Sequence, residues 1–279
     1  MFNHNIYMLK KNNTLILLLI LMVAAGCRSS HTIRPGDSID VAFEKAMGLY
    51  ERERYSQSAR AFETVLSIAR GTDFAADAQF YLAKSHFHNR AYLTAASEFR
   101  RFSRNYTRDE RREEAEFMEA YSHYRLSPRY NLDQTETYNA LDRFQLFVTR
   151  YPGTELAAEA QEYMDEMRDK LAKKKFNAAE MYMRIREYRS AAIYYGLTVE
   201  RYPGSIYAER SLVNKILAYV NYAENSVRDR QQERFELAVE AYQQYLQIFP
   251  RGENRERAED YYDRALAGLA DVTRATAER

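Results

Sequence analysis

The chain has 279 residues, 46% hydrophobic and 29% charged, with 41 Lys and Arg against 40 Asp and Glu. That balance gives no basis for general electrostatic capture of nucleic acid. A single cysteine excludes an intramolecular disulfide, and nine glycines with five prolines leave few breakers in the sequence.

The N-terminus reads first. Met1–Asn13 carries Lys10 and Lys11 and no acid, and Thr14–Ala25 is apolar after its first residue. This run is about a dozen residues long, short of the roughly 20 that a bilayer-spanning helix needs, so it reads as the core of a secretory signal. It ends in Ala24-Ala25-Gly26-Cys27, small residues before the sole cysteine, which resembles a bacterial lipobox. Residues 1–26 are therefore expected to be a lipoprotein signal peptide, and Cys27 the site of lipidation that holds the chain to a membrane. Removal of Lys10 and Lys11 takes the formal charge from +1 to −1. Residues 27–37 are polar, contain Pro35-Gly36 and read as a flexible tether.

From Ser38 onward the pattern predicts an all-α chain of helical hairpins. The first pairs Ile39–Arg52 with Ser56–Arg70, and the second Phe74–His88 with Tyr92–Asn105. The third pairs Asp109–Leu126 with Thr135–Arg150 around a longer loop, Ser127–Gln134. The fourth pairs a long helix, Glu155–Arg186, with Tyr188–Tyr202, and the fifth Ile206–Ser226 with Gln232–Phe249. A last helix, Arg255–Arg274, caps the array, and Ala275–Arg279 is expected to fray. The breaks between units are Arg150-Tyr151-Pro152-Gly153, its near-copy Arg201-Tyr202-Pro203-Gly204, and Phe249-Pro250-Arg251-Gly252. Proline ends one helix and glycine permits the turn. Thr154 and Ser205 then stand where N-caps belong.

The second helix of each hairpin carries an internal repeat. Its copies are Tyr55/Ser58/Phe62, Tyr92/Ala95/Phe99, Thr137/Ala140/Phe144, Tyr188/Ala191/Tyr195 and Phe235/Ala238/Tyr242. Steps of three and four put each set on one helical face, where the small residue admits a neighbouring helix and the aromatics fill the space beside it. The first two copies lie 37 residues apart, near the ~34 of a tetratricopeptide repeat. The predicted fold class is an all-α tetratricopeptide-repeat solenoid of five helical hairpins plus a C-terminal capping helix. The expected division is 38–150 for the N-terminal three repeats, and 151–279 for the C-terminal two repeats and capping helix.

One stretch is more specific. Met167 to Tyr182, MRDKLAKKKFNAAEMY, resembles the "RDRLAxxExxVAxYY" helix that opens the fourth repeat of the BamD family, the tetratricopeptide-repeat lipoproteins of the outer-membrane β-barrel assembly machine. The flanking Tyr-Pro-Gly turns, repeat number, lipobox and mature length fit that family. The resemblance implies a lipid-anchored scaffold on the periplasmic face of the outer membrane. Its C-terminal repeats would bind the periplasmic domains of the barrel assembly subunit, alongside other assembly lipoproteins. Its N-terminal repeats would bind C-terminal segments of unfolded outer-membrane proteins.

Two sites follow as candidates. Aligning Ala46, Ala83 and Ala120 on the first helices brings Phe43, Met47 and Tyr50, then Phe80, Lys84 and Phe87, then Phe117, Tyr121, Tyr124 and Arg125, onto equivalent faces. These aromatics either form a groove for an extended peptide, with Lys84 and Arg125 meeting its chain end, or pack between hairpins. Lys170, Lys173, Lys174 and Lys175 lie on the matched helix and are either a partner surface or a solvated face. Arg100, Arg101, Arg104, Arg108, Arg111 and Arg112 cluster near one turn with interleaved glutamates, and read as a salt-bridged face or a contact for acidic partners or lipid headgroups.

Catalytic and metal residues are not expected. His86 and His88 are two apart and point to different sides of a helix, and no phosphate-binding loop or nucleophile elbow occurs. No cofactor and no nucleic-acid partner is expected. The alternative reading is a periplasmic tetratricopeptide adaptor in cell-envelope or division assembly.

Overall fold

A computed structural model describes residues 32–277. The signal segment 1–26, the lipidation site Cys27 and the start of the tether lie outside the described residues. Eleven helices occur among the described residues: α1 (Ile39–Glu51), α2 (Tyr55–Ile68), α3 (Phe74–His88), α4 (Tyr92–Asn105), α5 (Arg112–Leu126), α6 (Thr135–Arg150), α7 (Glu155–Arg184), α8 (Tyr188–Arg201), α9 (Ala208–Glu224), α10 (Arg228–Ile248) and α11 (Arg255–Ala277). They form the five hairpins and the cap of an all-α tetratricopeptide-repeat solenoid. The small residue of every repeat copy is fully buried, Ser58, Ala95, Ala140, Ala191 and Ala238 alike.

The chain divides into two compact units, Met1–Glu98 and Phe99–Arg279. The division falls inside α4. Packing continues across the Pro152-Gly153 turn. Phe144 and Phe147 of α6 share one buried cluster with Ala157, Ala160, Met164 and Met167 of α7. Gly153 sits at φ +82°, the left-handed region that makes glycine the economical residue at this turn.

In the first unit Ala42, Ala46 and Leu49 pack with Ala59, Phe62 and Val65, and with Ala78 and Leu82 of α3. Ser58 donates to the Ala46 carbonyl (3.3 Å) and pairs with the Ser85 hydroxyl at 3.0 Å, so the polar member of this repeat is satisfied inside the core. The described end of the tether is held down. Ile33 packs against this core, and Asp37 accepts from the Arg34 amide and pairs with Lys45 at 2.6 Å. Those two partners hold the Asp37 carboxyl below its usual range.

In the second unit, Phe176, Ala179, Ala191 and Tyr195 join α7 to α8. Leu212, Ile216 and Val220 of α9 pack with Phe235 and Tyr245 of α10 and with Ala258 and Ala265 of the cap. Thr154 caps α7 as expected, accepting from the Ala157 amide at 3.2 Å. Ser205 does not cap α9, which begins at Ala208. Its hydroxyl accepts from the Tyr207 amide at 3.2 Å, closing a turn before the helix. Likewise α5 begins at Arg112, because Asp109 takes the Arg111 amide and guanidinium and holds a turn there.

The turns inside three hairpins share a feature that glycine usually serves. Glu53, Arg90 and Arg186 sit at φ +58°, +61° and +64°. Each lies two residues before the aromatic that opens the next helix. In each, the following amide reaches five residues back, Arg54 to Leu49, Ala91 to His86 and Glu187 to Tyr182, all at 2.9 Å. This is the Schellman arrangement, with an L-residue in the left-handed position. Such a residue carries an avoidable steric cost of about 1 kcal/mol. Arg90→Gly is expected to stabilise the first unit by about that amount in urea unfolding, and an unchanged or lower midpoint would refute the strain.

Candidate functional site

The sequence placed its peptide groove across three repeats, and these residues fall in both compact units. In the first unit Phe43 of α1 lies 5.8 Å from Phe62, 5.4 Å from Phe74 and 6.5 Å from Tyr81 between ring centroids. Tyr50 lies 5.3 Å from Tyr81, and Met47 packs beside the same core. Phe80 is only 3% exposed, with the Lys84 ammonium 5.3 Å over its ring. Phe87 lies 5.3 Å from Tyr92. Phe43, Met47, Tyr50, Lys84 and Phe87 are half-buried. The face is thus a partly covered aromatic layer whose hub, Tyr81, the sequence alignment missed.

The second unit has a matching hub. Tyr163 of α7 touches Phe117 (6.5 Å), Tyr121 (5.1 Å), Tyr124 (4.6 Å) and Phe144 (5.8 Å). A lone tyrosine among Gln161, Glu162 and Asp165 carried no signal of this role. Phe117 is 5% exposed and belongs to the core, whereas Tyr121 and Tyr124 are half-buried. Arg125 is exposed, its guanidinium 5.8 Å from the Tyr121 ring. Both cations assigned to a peptide end therefore sit over aromatic rings.

The lysines of α7 converge on this place. Lys170 donates to the Ser127 hydroxyl at 2.8 Å and lies 5.9 Å over the Tyr124 ring. Lys173 lies 5.0 Å over Tyr130, and Lys174 donates to the Leu132 carbonyl. Lys175 is half-buried, and burial, with Arg201 and Lys174 nearby, lowers its pKa. Burial also lowers that of Lys170, against the opposing pull of Glu166. Glu166 in turn accepts the Tyr124 hydroxyl at 2.7 Å, and burial and this bond raise the phenol's pKa.

The loop 127–134 is held from its other side as well. Gln134 donates to the carbonyls of Arg129 (2.8 Å) and Leu132 (3.0 Å), and its own oxygen accepts from Thr137. Thr137 also pairs with Ser127 at 2.5 Å. This explains the one repeat copy without its first aromatic: the hydroxyl of Thr137 anchors the long loop that an aromatic there could not. The ordered loop and α7 then bound a cleft of about 350 Å³, lined by Arg129, Tyr130, Glu166, Lys170, Lys173, Ile206 and Tyr207 among others. Ile206 is 72% exposed, its amide donating to the Asp169 carboxylate at 3.2 Å in a cleft that also holds Glu166. The cleft thus combines aromatic, basic, acidic and exposed aliphatic groups. Among the described residues no group of three or more His, Cys, Asp and Glu could hold a metal ion, and no helix is long and apolar enough to cross a membrane.

Helical-hairpin repeats and a buried small-residue seam define a tetratricopeptide-repeat protein. A family model confirms the particular lineage: it matches residues 36–235, and the chain belongs to the outer membrane lipoprotein family YfiO. The chain is 22% identical over 205 residues to the outer membrane protein assembly factor BamD of Rickettsia prowazekii, a match covering 71% of this chain and 80% of that one. It is 25% identical over 146 residues to the BamD of Caulobacter vibrioides, covering 52% of this chain and 48% of that one. Among solved structures it is similar to the TPR2AB domain of yeast Sti1 in complex with pHSP90, with 13% identity, a TM-score of 0.40, and 81% of this chain and 98% of that chain covered. A tetratricopeptide-repeat protein of Bacteroides fragilis gives 10% identity and a TM-score of 0.44, covering 82% of this chain and 98% of that chain.

Proposed function

We propose that this protein is a non-catalytic scaffold of the outer-membrane β-barrel assembly complex, anchored through lipid on Cys27 at the periplasmic face of the outer membrane. It holds the periplasmic domains of the barrel assembly subunit through its C-terminal repeats, and C-terminal segments of unfolded outer-membrane proteins through its N-terminal repeats. The observation that carries this reading is the cleft beside α7. The helix that resembles the family's most specific stretch is also the one whose lysines order the 127–134 loop around an exposed Ile206. The relatives' role as assembly factors, and the half-buried aromatic layer of the first unit, support the two partner assignments.

The test is co-purification from detergent-solubilised membranes with the full lipidated chain as bait. Wild type recovers the barrel assembly subunit. Ile206→Glu, which alters an exposed side chain, loses it while keeping its helical circular dichroism. Cys27→Ser moves the chain to the soluble periplasmic fraction. Failure of wild type to recover the subunit would overturn the function, and recovery by Ile206→Glu would move the contact off this cleft.

A further inference from the structure

A second recess of about 390 Å³ lies within the second unit and shares no lining residue with the α7 cleft. Arg100, Ser103 and Arg104 of α4 line it, with Arg112, Glu116 and Glu119 of α5 and Arg143, Leu146, Phe147 and Arg150 of α6. Five arginines meet two glutamates there, a formal excess of three positive charges in a chain whose mature net charge is close to zero. The excess is therefore local. A recess with low-dielectric walls focuses such a field onto whatever enters it.

The two carboxylates show what the recess accepts. Glu119, 8% exposed at its side chain, takes Arg100 at 2.7 Å and Arg143 at 3.3 Å. Glu116, 12% exposed, takes Arg112 at 2.9 Å and also Arg150. Each internal carboxylate thus lies between two guanidiniums from different helices. Arg104 lines the same recess and makes no ion pair or hydrogen bond among the described residues. Every cation present is arginine, whose planar fork matches carboxylates in a way an ammonium does not. Leu146, 59% exposed, adds an apolar contact at the site.

We propose that this recess is a docking site for an acidic segment of a partner protein, with Arg104 and the outer guanidinium edges of Arg143 and Arg150 receiving its carboxylates. Charge complementarity names the occupant. An extended chain can project one carboxylate into a recess among three helices, whereas a bilayer presents its phosphates in a plane. The inference stands apart from the α7 cleft and survives its failure.

The experiment is fluorescence anisotropy with the full mature chain and a rhodamine-labelled peptide of alternating Asp, Leu and Glu. A counterpart with Asn and Gln in place of the acids is the control, and vesicles of phosphatidylethanolamine and phosphatidylglycerol form a separate arm. Wild type binds the acidic peptide and not the amide peptide. Arg104→Ala, which breaks no ion pair among the described residues, weakens binding about fivefold at low salt, and the difference shrinks at about 0.3 M salt. Arg104→Glu abolishes it. Equal affinity for both peptides, or unchanged affinity in folded Arg104→Ala, overturns the proposal. So does a vesicle interaction that depends on Arg104 with no peptide binding, which would make this a headgroup site.

Discussion

Phe117→Ala should lower the unfolding free energy by about 3–5 kcal/mol, the range for emptying a buried aromatic site. The ring is 5% exposed and lies 5.7 Å from Phe144 and 5.6 Å from Phe147 between centroids. Its loss opens a cavity between α5 and α6 under Tyr121 and Tyr163. Urea unfolding followed by circular dichroism reads the change. Tyr124→Ala, at a half-buried position two turns along, should cost far less and instead weaken capture of an extended peptide. A loss under about 1 kcal/mol for Phe117→Ala would mean that the site collapses freely and that Phe117 is not a core anchor.

Gly268→Ala is the second large effect, and its sign opposes helix propensity. Alanine inside a helix ordinarily gains about 1 kcal/mol over glycine. Here an added Cβ would stand 2.2 Å from the Phe235 ring carbon Cζ. Phe235 is 4% exposed and is the first aromatic of the fifth repeat copy, so the ring has little room to retreat. The expected outcome is a net loss of about 1–3 kcal/mol, with amide exchange in α11 rising first as the cap lifts from α10. A stabilised variant would show that the cap slides without cost.

Much of the fold was legible because hairpin repeats write the same packing rule several times. The small residue of each copy is buried, and Tyr-Pro-Gly turns mark two of the boundaries between hairpins. The within-hairpin turns were harder. Their left-handed residues are glutamate and arginine, so no glycine advertised them. The α9 start was misjudged because Ser205 has a cap's chemistry but spends its oxygen on a turn amide.

The sites were legible as residue sets but not as partnerships. Aligned alanines picked out Phe117, Tyr121 and Tyr124, yet nothing in a helix pattern says that Tyr163, from the next hairpin, sits over them. The four lysines stood out as a run of charge. Lys170 and Lys174 hold the 127–134 loop through a hydroxyl and a carbonyl, and Lys173 through the Tyr130 ring, none of which the helical pattern registers. The arginine cluster was visible around residues 100–112, but Arg143 and Arg150 arrive from a helix three dozen residues away.

The left-handed arginines have a practical consequence. Arg90 and Arg186 belong to different compact units. Their replacement by glycine should therefore add nearly independently, giving about 2 kcal/mol in total. That reserve lies in turn residues that line neither recess. A doubly substituted chain offers a tolerant host in which tyrosines and arginines of the contact surfaces can be stripped one by one. Losses of binding could then be separated from losses of folding, which in a stacked-hairpin protein otherwise arrive together.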